Sequence, residues 1–276
     1  MNESLCVGIV GPGRVGNTIA FLLKEFGYKI ETIIARNFEQ ATKASQTWQA
    51  PYGVELTALD WDFPLPNLLF ITTPDNLIQT VVDRLATYKK DEWQNTIVFH
   101  CGGAFSSHLL LPLAKLGASI GSMHPLKSFA APIKSLSEIV GIYWCIEGDE
   151  QATTIANHLV KLTAGKAVTI EANKKALYHA AAVMSCGHLV ALLDLSLNML
   201  IECGITQEQA KDMLLPLIEG TVKNFANKTS AEALTGPFAR GDYQTVNQHL
   251  QVLKNLPEDY LIIYSLLGRH SLAIKT

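Results

Sequence analysis

The side chains best suited to proton transfer follow two apolar, strand-like segments of the sequence. His100 ends the segment 96–100, and His124 comes directly after the segment 119–123. Histidine is the usual side chain for proton transfer near neutral pH, because its pKa lies close to neutrality. A hydrogen bond from each imidazole to a loop carbonyl explains its presence equally well. Pro125 stiffens the loop that follows His124 and therefore favours His124 as the catalytic residue.

A second group of candidates lies near the start of a long helical segment. Lys175 and His179 are four residues apart and share one helix face, and Tyr178 lies beside them. These side chains can supply an acid for hydride chemistry, although structural lysines and histidines near a helix start are also common. Arg240 lies in the irregular segment 234–242, where it can bind a substrate carboxylate or a cofactor phosphate, or pair with Asp242.

A glycine-rich turn near the start of the sequence predicts a dinucleotide site. The turn reads Gly-Pro-Gly-Arg-Val-Gly over residues 11–16, after an apolar strand and before a helical segment. Gly11 permits the tight turn, Gly13 leaves room for a pyrophosphate, and Gly16 lets the helix pack closely on the strand. The backbone N–H groups between Gly13 and Val15, with Arg14 among them, then point at the pyrophosphate. A turn without a ligand and a methyltransferase-type nucleotide site are the alternatives.

The end of the second strand-like segment indicates which dinucleotide binds. Enzymes that use NAD usually place an acidic residue there, whereas this chain has Ala35, Arg36 and Asn37. The Arg36 guanidinium can hold a 2′-phosphate through charge-assisted hydrogen bonds, and Arg14 and Asn37 can add donors. The sequence therefore predicts NADP as the cofactor, unless Arg36 is a solvated loop residue.

The segment Thr72-Thr73-Pro74-Asp75 closes a further strand and is expected to line the nicotinamide-ribose side of the same cleft. The backbone near Thr73 and Pro74 is the expected cofactor contact. Asp75 is expected to cap the helix that begins near Leu77.

Short apolar runs alternate with helical periods over the first part of the chain. The strand-like segments are 5–10, 29–34, 67–71, 96–100, 119–123, 143–147 and 167–170, and the helical ones are 15–26, 38–47, 77–86, 108–115 and 150–162. This alternation predicts an α/β Rossmann-type fold with a mostly parallel sheet, whose ligands collect at the carboxyl ends of the strands. After residue 171 only helical segments follow, at 173–203, 206–226, 230–234, 243–255 and 257–273. We therefore expect a Rossmann domain over 1–171 and an all-α domain over 172–276.

The composition excludes several classes of protein. With 48% hydrophobic residues, 17% charged residues and a net charge of −3, the 276-residue chain is neither disordered nor suited to nucleic acid. Five widely spaced cysteines without a C-x-x-C pair favour reduced thiols over disulfides and predict no metal site. Residues 180–201 are almost wholly apolar, but His188, Asp194 and Asn198 favour a buried helix over a membrane span. With no signal peptide evident at the start, we expect a cytoplasmic protein.

The sequence resembles the Rossmann-like family whose C-terminal part is the domain of unknown function 2520. The resemblance rests on GPGRVG (11–16), TTPD (72–75), HCGGAFSS (100–107), GSMHPLKSF (121–129), KALYHAAAV (175–183) and ALTGPFARGD (233–242). It implies an NADP-dependent oxidoreductase similar to pyrroline-5-carboxylate reductase and the β-hydroxyacid dehydrogenases, with an active cleft between two domains and a helical domain that mediates dimerisation. In the family pattern a Ser-Asn pair follows the KALYHAAAV stretch, whereas this chain has Ser185-Cys186-Gly187. Related dehydrogenases use an Asn and a Lys on this helix, so their mechanism does not transfer directly.

These observations lead to one functional hypothesis and one alternative. The hypothesis is an oxidoreductase that transfers a hydride between NADP(H) and a small carbonyl, imine or hydroxy-acid-type substrate, with the proton supplied by His124, His179 or Lys175. The alternative is a non-catalytic NADP-binding sensor or scaffold. In either case a homodimer is the expected assembly.

Overall fold

The chain divides into two compact units, Met1–Cys186 and Gly187–Thr276. Their structure is a computed structural model that describes residues 5–58 and 61–275. The division lies beyond the expected domain boundary at 171/172, so the first helix after that boundary belongs to the first unit. The boundary itself stays a prediction.

An eight-stranded sheet forms the centre of the first unit. Its strands are β1 (Cys6–Val10), β2 (Lys29–Ala35), β3 (Tyr52–Glu55), β4 (Leu68–Ile71), β5 (Ile97–His100), β6 (Ser119–Pro125), β7 (Tyr143–Gly148) and β8 (Lys166–Thr169). The order across the sheet is β3-β2-β1-β4-β5-β6-β7-β8, and among these pairs only β6 and β7 are antiparallel. The predicted fold class, a mostly parallel Rossmann-type sheet followed by helices, is confirmed.

Helices cover both faces of this sheet. They are α1 (Arg14–Glu25), α2 (Phe38–Trp48), α3 (Ile78–Leu85), α4 (Leu111–Ala114), α5 (Glu150–Leu162) and α6 (Lys175–Ser185). Apolar residues recur on α3 at Ile78, Val81, Val82 and Leu85, and this spacing places all four against one face of the sheet. Helices α1 and α5 bury their apolar sides against the opposite face.

The sequence pattern missed β3, which lies at the edge of the sheet. Its four residues are only partly buried, so they lack the apolar run that marks the inner strands. The parallel pairing of β1, β4, β5 and β6 brings the residues that follow each of these strands to one edge of the sheet. This edge carries the candidate site.

The second unit is wholly helical in its described part. Its helices are α7 (Gly187–Glu202), α8 (Gln207–Asn227), α9 (Ser230–Ala233), α10 (Pro237–Arg240), α11 (Tyr243–Leu253) and α12 (Glu258–Lys275). Side chains cap the starts of α8 and α11, where Thr206 accepts from the Gln209 N–H and Asp242 from the Thr245 N–H. The short helix α10 lies where an irregular loop was expected.

The expectation of one continuous buried helix over 173–203 is wrong. The helix breaks at Cys186, whose φ of −122° and ψ of −77° are not helical, and α7 starts at the following glycine. No residue of α7 is buried, and Val190 is 65% exposed. Residues 172–202 are long and apolar enough to cross a membrane by length and composition alone.

Candidate cofactor and reaction site

The glycine turn between β1 and α1 has the geometry that a pyrophosphate site requires. Gly11 has a φ of +88°, which glycine adopts without strain, and its N–H donates to the Ile34 carbonyl at 2.8 Å. A Cβ at Gly16 would collide with the Gly11 carbonyl oxygen and lie 2.5 Å from Thr72 Oγ1. A Cβ at Gly13 would meet no atom within 4 Å, so open space lies in front of this residue.

A cavity of about 750 Å³ opens beside this turn, at the carboxyl ends of β1, β2 and β4. Its walls include Gly11 and Gly13 of the turn and the α2 side chains Gln40 and Lys43. Arg36 lies at the end of β2 and also lines the cavity. Among the described residues, neither Arg36 nor Lys43 has an ion-pair partner, so two exposed cations face this space uncompensated.

Asn17 and Thr72 fix the turn from two sides. The Asn17 amide donates to the Pro12 and Gly13 carbonyls at 2.6 and 2.9 Å, and its oxygen accepts from Trp48 Nε1 at 2.7 Å. The Thr72 hydroxyl reaches the Gly11 carbonyl at 2.6 Å. With these carbonyls already bonded, the turn is held in one conformation beside the cavity.

Thr73 adds an observation that favours a ligand. Its Oγ1 is buried and has no hydrogen-bond partner among the described residues, although the side chain lines the cavity. A buried hydroxyl without a partner is costly, and a ligand that offers a hydrogen bond removes that cost. The open space at Gly13, the two cations in the cavity wall and this hydroxyl all fit a phosphorylated dinucleotide.

The predicted cofactor residues divide into two groups in the structure. Gly11, Gly13, Arg36, Thr73 and Pro74 line the cavity, as expected for residues that contact a dinucleotide.

The other four do not line it. Val15 and Gly16 lie in the first turn of α1, and Arg14 points away towards the Phe129 carbonyl at 3.4 Å. The Asn37 oxygen caps α2 by accepting from the Gln40 N–H at 2.9 Å. Direct cofactor contacts from these four stay predictions.

Further along the same edge, Lys175 reaches from the first turn of α6 to β6. Its side chain is fully buried, and Nζ donates to Ser122 Oγ at 2.6 Å. No carboxylate forms an ion pair with it within the described parts of the chain. Burial lowers the pKa of Lys175, while the more distant charges of Glu147 and Asp75, with Cys145 and Cys101, oppose that shift.

A second contact parallel to the first joins His124 to Tyr178. The Nδ1 atom of His124 lies 2.9 Å from the Tyr178 hydroxyl. Strand β6 places Ser122 and His124 on one face, and α6 places Lys175 and Tyr178 on one face, so the two pairs lie side by side. Burial, followed by the positive charge of Lys175, lowers the pKa of His124 to about 4, and burial raises the pKa of Tyr178. Near neutral pH, His124 is therefore uncharged and Tyr178 keeps its proton.

His179 completes this cluster. Its ring lies 5.5 Å from that of His124, edge to face, and its Nδ1 is buried without a partner among the described residues. A Cβ at Gly103 would collide with His179 Nδ1 and lie 2.9 Å from His124 Nε2. The loop after β5 therefore packs its glycine directly against both imidazoles.

His100 has a different environment from His124. Its Nδ1 accepts from the Gly102 N–H at 3.2 Å, so its Nε2–H donates to the Ser106 carbonyl at 3.0 Å. Both ring nitrogens thus hold the loop 101–106. This is the structural alternative given above, a hydrogen bond from the imidazole to a loop carbonyl. A catalytic role for His100 stays a prediction, and both of its ring nitrogens are already hydrogen-bonded to the loop.

Acidification should destabilise the protein through His100. Burial lowers its pKa from 6.5 to about 4, so the unfolded state takes up a proton first as the pH falls. The contribution of His100 is complete above its unfolded pKa and should fall by about 2 kcal/mol between about pH 7.5 and about pH 5. His100→Asn keeps an acceptor for the Gly102 N–H. Between these two pH values, its free energy of unfolding in urea should fall less than that of the unmodified protein, by the same amount. The exposed His108→Asn is the control, and an unchanged pH dependence in His100→Asn would contradict the assignment.

Two other predicted roles differ from the structure. Asp75 does not cap α3: it lies inside a short 3-10 turn that follows Pro74, and its carboxylate packs against Gly102 instead. Arg240 is exposed on α10 and forms no ion pair with Asp242, whose carboxylate is bonded to Thr245. A substrate contact for Arg240 stays a prediction.

Sequence reasoning also missed residues of this site. Ser122 and Glu147 lie in strand segments that the pattern identified, and their polarity within apolar runs was a signal. Ser107 and Asn17 act through partners far away in the sequence, and no local pattern marks them. Lys43 lies on α2, and only the fold shows that its side of the helix faces the cavity.

Two family models match the chain in succession. The model of the Rossmann-like domain matches residues 1–125, and the model of the domain of unknown function DUF2520 matches residues 142–271. None of the curated proteins matches the sequence.

Solved structures share the fold at low sequence identity. The protein BF3122 from Bacteroides fragilis is 20% identical over 98% of both chains, with a TM-score of 0.76. A reductive aminase from Aspergillus terreus in complex with NADPH and ethyl-5-oxohexanoate is 13% identical over 98% of this chain and 94% of that one, with a TM-score of 0.66. The pyrroline carboxylate reductase of Plasmodium falciparum with NADP bound is 11% identical over 99% of both chains, with a TM-score of 0.56. The chain therefore joins a Rossmann-like domain to a DUF2520 domain, on a fold that it shares with NADP-dependent reductases.

Proposed function

We propose that the protein binds NADP(H) in the cavity beside the glycine turn and reduces a small carbonyl or imine, or oxidises the corresponding product. The observation that carries this proposal is the cavity itself, which is lined both by the glycine turn and by two cations that have no ion-pair partner among the described residues. The structural relatives with NADP or NADPH bound support the same cofactor. Arg36 and Lys43 would hold the 2′-phosphate, and the N–H groups of the turn would face the pyrophosphate.

The cluster at β6 and α6 would supply the proton. NADPH, when bound, supplies the hydride, and reduction of a carbonyl also requires a proton donor at the developing oxygen charge. Tyr178 keeps its proton near neutral pH, and the buried Lys175 ammonium, bonded to Ser122, is a second donor. His124 contacts the Tyr178 hydroxyl through Nδ1, so the two side chains are placed to exchange a proton.

The cofactor assignment predicts a specific change in nucleotide preference. Arg36→Ala and Lys43→Ala should each weaken NADP binding by about 10-fold, because each removes a charge-assisted contact with the 2′-phosphate. The affinity for NAD should stay the same in both variants, since NAD lacks that phosphate. Isothermal titration calorimetry measures both affinities. Lys24→Ala is the control, because Lys24 bonds Gln49 and lies outside the cavity wall.

Two results would contradict the cofactor assignment or the reaction. Equal losses of NADP and NAD affinity in Arg36→Ala would show that the cation does not recognise the 2′-phosphate. The reaction is tested by following NADPH absorbance with a panel of keto acids, aldehydes and imines. Tight NADP binding without turnover across the panel would favour the alternative, a non-catalytic sensor or scaffold.

We also propose that a second copy of the chain covers the apolar surface of the helical unit. Val190 on α7 and Leu217 on α8 are 65% and 66% exposed, and large apolar patches usually mark an interface. The family resemblance, which implies a helical domain that mediates dimerisation, supports the same assembly. We place the protein in the cytoplasm as part of this proposal. The mass in solution tests it: a monomer, or binding to lipid vesicles, would contradict the proposal.

A further inference from the structure

A row of buried polar side chains crosses the sheet beside the cluster at β6 and α6. His100 lies directly opposite Ser122 on β5 and β6, and Ser122 lies directly opposite Glu147 on β6 and β7. Residues directly opposite each other in a sheet share one face, so these three side chains form a transverse row. All three are buried, as is Lys175, which donates to the middle residue of the row.

Glu147 holds the loop that contacts the imidazoles. Its two carboxylate oxygens accept from the Ser107 N–H and the Ser107 hydroxyl, each at 2.7 Å. His100 fixes the same loop through Gly102 and Ser106. The loop is therefore tied to the sheet at both ends, and Gly103 between the ties packs against His124 and His179.

The charge of Glu147 has a second consequence. Lys175 is buried, and a buried ammonium without an ion pair is costly unless negative charge lies within reach. The carboxylates whose charges act on Lys175 are Glu147 on β7 and Asp75 beyond β4. Burial raises the pKa of the Cys101 and Cys145 thiols, and the nearby His100 and His124 are uncharged near neutral pH. Of the two carboxylates, Glu147 is the one fixed by hydrogen bonds, and Asp75 has none to another described residue.

We propose that Glu147 is a positioning residue of the site, with a carboxylate that fixes the Gly102–Gly103 loop against the imidazoles and compensates the charge of the buried Lys175. It contacts neither the cofactor cavity nor the proton donors directly. The role of Glu147 in the reaction rests on the proposed function. Its effects on the loop and on Lys175 do not require cofactor or substrate.

Glu147→Gln tests both effects in one variant. Glutamine keeps a single oxygen for Ser107 and carries no charge, so the pKa of Lys175 should fall by about half a unit to one unit. The pKa is measured by NMR titration of protein labelled with [ε-13C]lysine, where the Lys175 signal is assigned by its absence from Lys175→Met. The amide signals of Gly102 and Gly103 should also shift, because the loop loses one of its ties.

Ser107→Ala is the matched variant that separates the two effects. It removes the hydroxyl tie and keeps the Glu147 charge, so the glycine amide signals should shift while the pKa of Lys175 stays the same. A purely structural Glu147 would leave the pKa of Lys175 unchanged in Glu147→Gln, and that result overturns the proposal. Glycine signals that do not move in Ser107→Ala overturn it as well. This second test still decides the proposal if Glu147→Gln fails to fold. Neither measurement needs NADP or turnover, so failure here is distinct from failure of the proposed reaction.

Discussion

Alanine at Gly13 is expected to weaken NADP binding by about 100-fold while changing the free energy of unfolding by less than about 1 kcal/mol. A Cβ at this position meets no protein atom within 4 Å, and the backbone is extended, with a φ of −82° and a ψ of −156°. The protein therefore accommodates the methyl group easily. The same methyl group fills the space that the pyrophosphate needs.

Alanine at Gly16 is the matched comparison, and the opposite balance is expected. Its Cβ would collide with the Gly11 carbonyl oxygen, and backbone cannot move aside as a flexible side chain can. Overpacking of this kind should lower the free energy of unfolding by about 3 kcal/mol. Urea unfolding and calorimetric titration with NADP measure both quantities. Undiminished NADP affinity in Gly13→Ala would contradict the position assigned to the pyrophosphate.

Lys175→Met is expected to reduce turnover strongly without reducing stability. Loss of a proton donor typically lowers the rate by about 10²–10⁴-fold. Lys175 makes no direct ion pair, and Glu147 keeps both of its hydrogen bonds to Ser107 without the ammonium, so an apolar side chain of similar length should leave the free energy of unfolding unchanged or raise it by up to about 2 kcal/mol. A gain in stability together with a loss of activity would show that the lysine is kept for its chemistry.

The neighbouring residue provides the control for this variant. Lys174 is exposed, so Lys174→Met should change neither the free energy of unfolding nor the rate appreciably. Rates come from NADPH absorbance with any substrate that the panel identifies, and stabilities from urea unfolding. Strong destabilisation of Lys175→Met would instead indicate that the ammonium makes a net stabilising contribution, mainly through its bond to Ser122.

Local sequence patterns predicted much of the lining of the cavity beside the glycine turn. The strand, the glycine spacing and Arg36 all lie within the first βαβ unit, where each residue acts on its near neighbours. The structure places Gly11, Gly13 and Arg36 in the lining of one cavity, as the sequence pattern predicted. Lys43 was missed, because its role depends on which side of α2 faces the cavity.

The reaction end was less predictable, because its contacts join distant parts of the chain. Lys175 meets Ser122 across 53 residues of sequence, and Ser107 meets Glu147 across 40. Such pairs depend on strand order and register, which periodicity does not reveal. The expected cap at Asp75 is not formed, because Asp75 lies inside a 3-10 turn that begins three residues before α3.

The break at Cys186 has a consequence for how such proteins can diversify. Because α6 ends at Ser185, the Lys175–Ser122 and His124–Tyr178 pairs and the cavity beside Gly13 all belong to one compact unit. Substitutions in residues 187–276 can therefore change the helical unit without replacing any residue of these two pairs or of the cavity wall.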